Sequence, residues 1–240
     1  MSKLDANSTV AQWVVEKPQT ARVFEKLGID YCCGGSAKVA VACKMKQLDA
    51  LEVTRQLACA IDESEDASNL DWTQTSLTEL CDHIQQTHHA YLREELPRLE
   101  AMITKVVNAH GERHPSVHEL KATFAELRGE LEPHMMKEEQ ILFPAIRALE
   151  TGANRPNFPF GPLANPIRMM EHEHDAAGGA LKRIRELTAD FQAPEDVCNT
   201  YRVMLDGLRQ LESDLHIHIH KENNILFPRA QQLEESLVTT

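Results

Sequence analysis

The 240-residue chain is short of positive charge: 25 Lys and Arg face 37 Asp and Glu, a formal net charge of −12 with a pI near 5.4. Because nucleic-acid affinity comes mostly from cations that neutralise phosphates, this balance argues against a nucleic-acid partner. The chain also lacks any run of 18 apolar residues, so no membrane-spanning helix is expected. The opening residues MSKLDANSTVAQWVVEK carry neither the basic segment nor the apolar core of a secretory leader, and the expected compartment is the cytoplasm. Six cysteines in a chain of this length without secretory features suit thiols or redox groups better than a disulfide framework.

What is present is the composition of a folded protein, 42% hydrophobic and 26% charged, and a repeat. His134 to Pro144 reads HMMKEEQILFP, and His218 to Pro228 reads HIHKENNILFP. The register shift is 84 residues for the histidine, the glutamate and the proline alike. In a helix, residues four apart share a face, so His134 with Glu138 and His218 with Glu222 each present an imidazole beside a carboxylate. Two such pairs on facing helices of a bundle make a metal site.

Along the chain, residues 8–59 read as short helices, with Gly28 as a stop signal. Ile29 to Ser36, IDYCCGGS, reads as a loop whose glycines let the backbone turn beside Cys32 and Cys33, with Ser36 opening the next helix. A helix start there would lower a thiol pKa, making a reactive thiolate plausible. Adjacent cysteines are too close for an unstrained disulfide, which favours a transient redox or ligand role, although two small residues in a tight loop fit equally well. Cys43, Cys59, Cys81 and Cys198 read as packing residues.

The acidic, Ser/Asp-rich stretch from Ala60 to Gln74 reads as a linker. The expected organisation is a small helical domain over 1–60, a linker over 61–75 and a four-helix, up-down-up-down bundle over 76–240. The first long helix opens at Ser76 and Glu79 in capping-box spacing and runs to about Ala109. The second opens likewise at Ser116 and Glu119 and runs to about Leu149. The third follows Asn165-Pro166 to about Asp190, and the fourth follows Pro194 to about Glu235. The turn before the fourth should extend past Pro194. Pro97, Pro133, Pro144 and Pro228 fall inside these patterns and should kink the helices or interrupt their hydrogen bonding.

Helical phase sorts the histidines. The first stripe runs Leu77, Leu80, Ile84, His88, Tyr91, with His89 about 100° off it. The second runs Phe124, Leu127, Leu131, His134, Glu138, Ile141. The third contains His174 and leaves His172 on the far side. The fourth carries His218 and Glu222, with His216 and His220 turned about 200° away. Glu139, Glu171 and Glu173 are out of phase and fit a solvated face. A glutamate on a core stripe is costly without a cation. Four imidazoles and two carboxylates give three donors per metal, which suits redox-active iron or manganese bridged by the glutamates better than one closed zinc site.

With these residues in place, the chain resembles the repair-of-iron-centres (RIC) family, in which a small ScdA-type N-terminal domain bearing DYCCGG precedes a haemerythrin-like bundle. Asp30 to Gly35 gives DYCCGG, His174 lies in EHDAAG, and the two repeats carry the remaining motif. The resemblance implies a di-iron centre on His88, His134, Glu138, His174, His218 and Glu222, with the two glutamates bridging, and a redox or iron-relay role for Cys32 and Cys33. It implies repair of iron–sulfur clusters damaged by nitrosative or oxidative stress, by iron donation, nitric oxide reduction or both. The partners it implies are damaged iron–sulfur proteins and nitric oxide, and a homodimer is compatible with it. Two other classes stay open: a haemerythrin-like oxygen or nitric oxide carrier or sensor, and a helical module with structural zinc.

Overall fold

The computed structural model describes residues 4–62, 71–152 and 157–238. The central part of the expected linker and part of the Gly/Pro-rich connection before the third long helix lie outside these residues. The described chain is helical, with one antiparallel bridge between Thr9 and Lys38 and no strand. The fold class is therefore all-α, as the periodicities require. None of the described helices is long and apolar enough to cross a membrane.

Packing divides the chain into two compact units, Met1–Leu80 with His216–Thr240, and Cys81–Leu215. In the first unit lie α1 (Val10–Glu16), α2 (Ala21–Lys26), α3 (Val39–Met45) and α4 (Ala50–Asp62). Thr9 and Gln12 form a capping box at the start of α1, satisfying two backbone donors reciprocally. Trp13, Phe24, Ile29, Tyr31, Val39, Val53 and Leu57 form a core of their own. Gly28, with φ +62°, ends α2 in a conformation that costs glycine little. The helix after the Cys-Cys loop begins at Val39 behind Lys38, so Ser36 does not cap it.

The long helices are α5 (Leu77–Ile84) and α6 (Ala90–His110), α7 (Ser116–Lys137) and α8 (Phe143–Thr151), α9 (Ala164–Leu187), and α10 (Asn199–Lys221) with α11 (Phe227–Val238). Ser76 and Glu79 form the expected capping box. Ser116 does not: it already lies inside α7, behind Pro115. In the second unit, residues of α6, α7, α9 and α10 share one apolar core that includes Leu96, Leu99, Phe124, Leu127, Leu181, Leu208 and Leu211. Burying Leu- and Phe-sized side chains is worth about 1.5–3 kcal/mol each, and this core holds the four helices together. The connection from α9 to α10 spans residues 188–198, which extends past Pro194 as expected.

Pro97 and Pro133 sit inside helices that continue through them. The departures from α geometry lie elsewhere, in three π-helical turns among the described residues: Gln85–His89, Glu138–Leu142 and Glu222–Leu226. The second and third follow from the repeat. Pro144 and Pro228 have no N–H to donate, and their rings crowd the carbonyl four residues back, which belongs to Gln140 and Asn224 inside those turns. A widened turn relieves that clash.

Candidate metal centre

A π turn takes up one extra residue, so the face presented downstream slips by one position, about 100°. This slip decides the first helix. Counting by four from Ile84 selects His88, whereas the stripe actually buried after the wide turn is His89, Leu92, Leu96, Leu99 and Ile103, each fully shielded from solvent. The same slip occurs after Glu138, where Leu142 is buried and the expected Ile141 is 47% exposed.

The consequence for the site is direct. His89, not His88, stands beside Glu138, with Nε2 3.2 Å from its Oε2. His88 is also buried, but its Nδ1 lies 2.8 Å from Asp214 Oδ1 and its ring meets His83 edge-on. At 100° per residue the stripe Leu92, Leu96, Leu99 extended backwards falls midway between His88 and His89, so the sequence pattern alone does not choose between them.

Around Glu138, His134 Nε2 lies 3.5 Å from the carboxylate and 3.1 Å from His174 Nε2. Ligand atoms of His134, Glu138 and His174 all fall within 4.8 Å of one another, and all three residues are buried. The outer nitrogens show what the inner ones are for. His134 Nδ1 lies 2.8 Å from Glu173 Oε2, and His89 Nδ1 lies 2.7 Å from Glu139 Oε1. Each Nδ1–H donates to its carboxylate, which fixes the tautomer and leaves the Nε2 lone pair facing inward. The inner Nε2 atoms meet the Nε2 of His174 and the carboxylate of Glu138, a cluster of nitrogen and oxygen donor atoms that a cation among them would satisfy together.

Glu139 and Glu173, expected on a solvated face, are thus bound to inner histidines. Burial works against the charge of Glu139, but Arg93 and His89 outweigh it and hold its carboxyl below the usual range. Lys137 and His134 do the same for Glu173 against its own burial. Phase alone misses this: Glu139 is turned only one residue, about 100°, from Glu138, and a carboxylate that grips a donor from behind need not share its stripe.

In the other unit, His218 and Glu222 are both buried, with Nε2 3.1 Å from Oε1. Glu222 begins the third π turn, and Asn224 within that turn reaches the Cys-Cys loop. Asn224 Nδ2 donates to the Cys32 carbonyl at 3.0 Å, and His220 Nδ1 lies 3.2 Å from the Tyr31 carbonyl. The Tyr31 ring stands edge-on to His216 and His220 at 6.0 and 5.5 Å. His220, expected to point away from the core, is buried beneath this loop, and burial pushes its pKa down to about 4 despite the Tyr31 carbonyl. Gly35 is required here: a Cβ would stand 2.6 Å from the Tyr31 carbonyl oxygen and 2.9 Å from Ala11 Cβ.

In the loop itself, Asp30 Oδ1 accepts the backbone N–H groups of Cys32 and Cys33 at 2.9 and 3.0 Å. It also accepts the Cys32 thiol at 3.2 Å, while the two sulfurs lie 3.9 Å apart as free thiols. Asp30, Cys32 and Cys33 offer a third set of candidate ligand atoms within 4.8 Å of one another. The surroundings of Cys32 work against the expected thiolate. No helix starts here, and the Cys33 hydrogen bond, burial and Asp30 all push the Cys32 thiol well above its ordinary pKa.

Residues 81–230 match the family described as the Hemerythrin HHE cation binding domain, and residues 6–60 match the ScdA N-terminal family, described as a domain of unknown function. A probable iron-sulfur cluster repair protein from Haemophilus influenzae is 36% identical over 224 residues, covering 93% of this chain and 96% of that protein. The iron-sulfur cluster repair protein YtfE of Pectobacterium carotovorum is 37% identical with the same coverage. That of Yersinia pseudotuberculosis is 37% identical over 225 residues. The chain belongs to the iron–sulfur cluster repair family, with a hemerythrin HHE domain.

The hemerythrin HHE domain of this repair family is a di-iron fold, and its cofactor is a pair of iron ions. The donor set present here fits iron: buried imidazole nitrogens with fixed tautomers and fully buried carboxylates, a mixture of borderline and hard ligands that redox-active iron accepts.

Proposed function

We propose that His89, His134, Glu138, His174, His218 and Glu222 would hold the two irons, and that the chain repairs iron–sulfur clusters damaged by nitric oxide or oxidants. The observation that carries this reading is the inward-facing Nε2 lone pairs of His89 and His134 against the buried Glu138, each ring locked from behind by a carboxylate. When bound, iron supplies a metal that can be passed on and electrons for reducing nitric oxide. Of the chain's own groups, Glu139 and Glu173 keep His89 and His134 in the ligating tautomer, and Arg93 and Lys137 keep those carboxylates ionised. His88, held by Asp214, has no iron in this assignment.

Cys32 and Cys33 are proposed as the relay. Cys32 is a protonated thiol at neutral pH, so a metal or oxidant arriving at Asp30, Cys32 and Cys33 must displace its proton. Asn224 couples this loop to the segment that begins with Glu222. The proposed domains are the helical unit over 1–60, a linker over 61–75 and the bundle over 76–240. The clients are damaged iron–sulfur proteins, nitric oxide is a small-molecule ligand, the compartment is the cytoplasm, and the chain can pair with a second copy. Oxygen carriage gives way to repair because the relatives that align over nearly the whole chain are named as repair proteins.

The test is anaerobic incubation of the di-ferrous protein with a nitric-oxide-damaged cluster enzyme, following recovered enzyme activity, iron transfer and nitrous oxide together. Recovery with iron transfer supports donation, and recovery with nitrous oxide supports reduction. No recovery beyond that given by free ferrous iron sinks the repair reading.

A further inference from the structure

In the second unit, Cys198 flanks the start of α10, the 23-residue helix Asn199–Lys221, and is exposed to solvent. Its Sγ lies 3.2 Å from Nε2 of His110, the last residue of α6. His110 is 95% buried, and its other nitrogen, Nδ1, is enclosed with no hydrogen-bond partner. That asymmetry sets the ring's tautomer. A bare lone pair costs less to enclose than an unpaired N–H, so the proton belongs on Nε2, where it donates to the sulfur.

The first turn of α10 acts in the same direction: backbone groups of Tyr201, and then of Thr200 with its side chain, hold the Cys198 thiol below its ordinary pKa against the opposing effect of burial. The remaining charged groups nearby largely occupy one another. Asp196 lies 3.1 Å from His114 Nε2 and 3.7 Å from Arg113. The Tyr201 ring stands edge-on to both His110 and His114, at 5.5 and 6.0 Å, and holds the imidazoles in place. A buried imidazole spending its only N–H on an exposed sulfur is not what packing alone requires.

We propose that Cys198, positioned by His110, is a nucleophilic thiol that exchanges with low-molecular-weight disulfides and carries them as a mixed disulfide. In the step, Cys198 loses its proton to solvent. Its sulfur attacks one sulfur of the disulfide, the new S–S bond forms as the old one breaks, and the leaving thiolate takes a proton from water. The Cys198 sulfur is oxidised and the departing sulfur reduced, so no other oxidant is needed. His110 acts through the thiolate it stabilises and is a positioning residue.

Cys59, the chain's other exposed cysteine, is the internal control. The iron-loaded chain is treated with glutathione disulfide between pH 6 and 9, quenched by alkylation, and mapped by peptide mass. Cys198 is expected to react about tenfold faster than Cys59 at pH 7, with its half-maximal rate at a lower pH. His110→Phe should remove that advantage and move the Cys198 profile to higher pH while leaving Cys59 unchanged. His110→Gln, which restores an N–H donor, should recover part of it, and circular dichroism checks that both variants keep their helicity. Equal rates for the two cysteines in the unaltered chain overturn the proposal. So does a Cys198 pH profile that neither folded variant shifts.

Discussion

The two copies of the repeat are alike at their buried His and Glu positions and unlike where they face outward. His134 and Glu138 correspond to His218 and Glu222, and all four are buried. Glu139 in the first copy corresponds to Asn223 in the second, Gln140 to Asn224, and Met136 to His220. Met136 is 53% exposed, whereas His220 is 4% exposed. The first copy spends its outward position on Glu139, which grips His89. The second spends its outward positions on His220 and Asn224, which grip the backbone of Tyr31 and Cys32. Under the proposed assignment, the shared inner face and divergent outer faces make the first copy the one that tunes the metal and the second the one that anchors the thiol loop.

The sharpest break of the comparison is at the shared positions. Glu138→Leu and Glu222→Leu should each abolish binding of the iron pair, measured as iron per chain and by loss of the visible absorption. Either variant retaining both irons would remove its residue from the donor set. Next in size is the adjacent pair in the first helix. His89→Ala should weaken iron binding well over tenfold, and His88→Ala should leave the iron stoichiometry unchanged, a contrast that iron titration of the two proteins reads directly. The reverse order would restore the regular helical count.

Smaller effects separate the outward faces. Glu139→Gln removes the charge behind His89 and is expected to weaken iron affinity by about 10–100-fold without emptying the site, measured by competition with a chelator. An unchanged affinity would make Glu139 a bystander. The smallest effect is expected at the anchor. Asn224→Ala deletes a hydrogen bond to the Cys32 carbonyl and should cost about 1 kcal/mol, seen as a lower thermal midpoint and faster alkylation of Cys32. Gln140→Ala, its exposed counterpart, should change neither. If both substitutions behave alike, the division between tuning and anchoring copies fails.

Much of this was legible in the sequence. The all-α class, the long helices, the Ser76–Glu79 cap and five of the six proposed donors followed from periodicity and from the repeat. What escaped did so for identifiable reasons. His89 was hidden because a constant 3.6-residue count has no place for an inserted residue, and the same arithmetic put Ile141 inside in place of Leu142. Glu139 and Glu173 were assigned to solvent because phase reports which residues line a core and says nothing of groups that reach an imidazole from behind. His220 was placed outside because its burial depends on Tyr31, nearly two hundred residues earlier, and helical phase contains no information about that pairing. Cys198 read as packing because its partner, His110, lies on another helix.

The three wide turns bear on any attempt to build such a site anew. An engineer who copied these side chains onto ideal straight helices would reproduce every residue type and still aim part of the first helix at the wrong neighbour. Rewinding Gln85–His89 as a regular α turn with every residue kept would rotate everything beyond it by about 100°, carrying His89 away from Glu138. The blueprint for the metal site therefore includes the local pitch of its helices, and the spare residue in each wide turn is as much a component as any ligand.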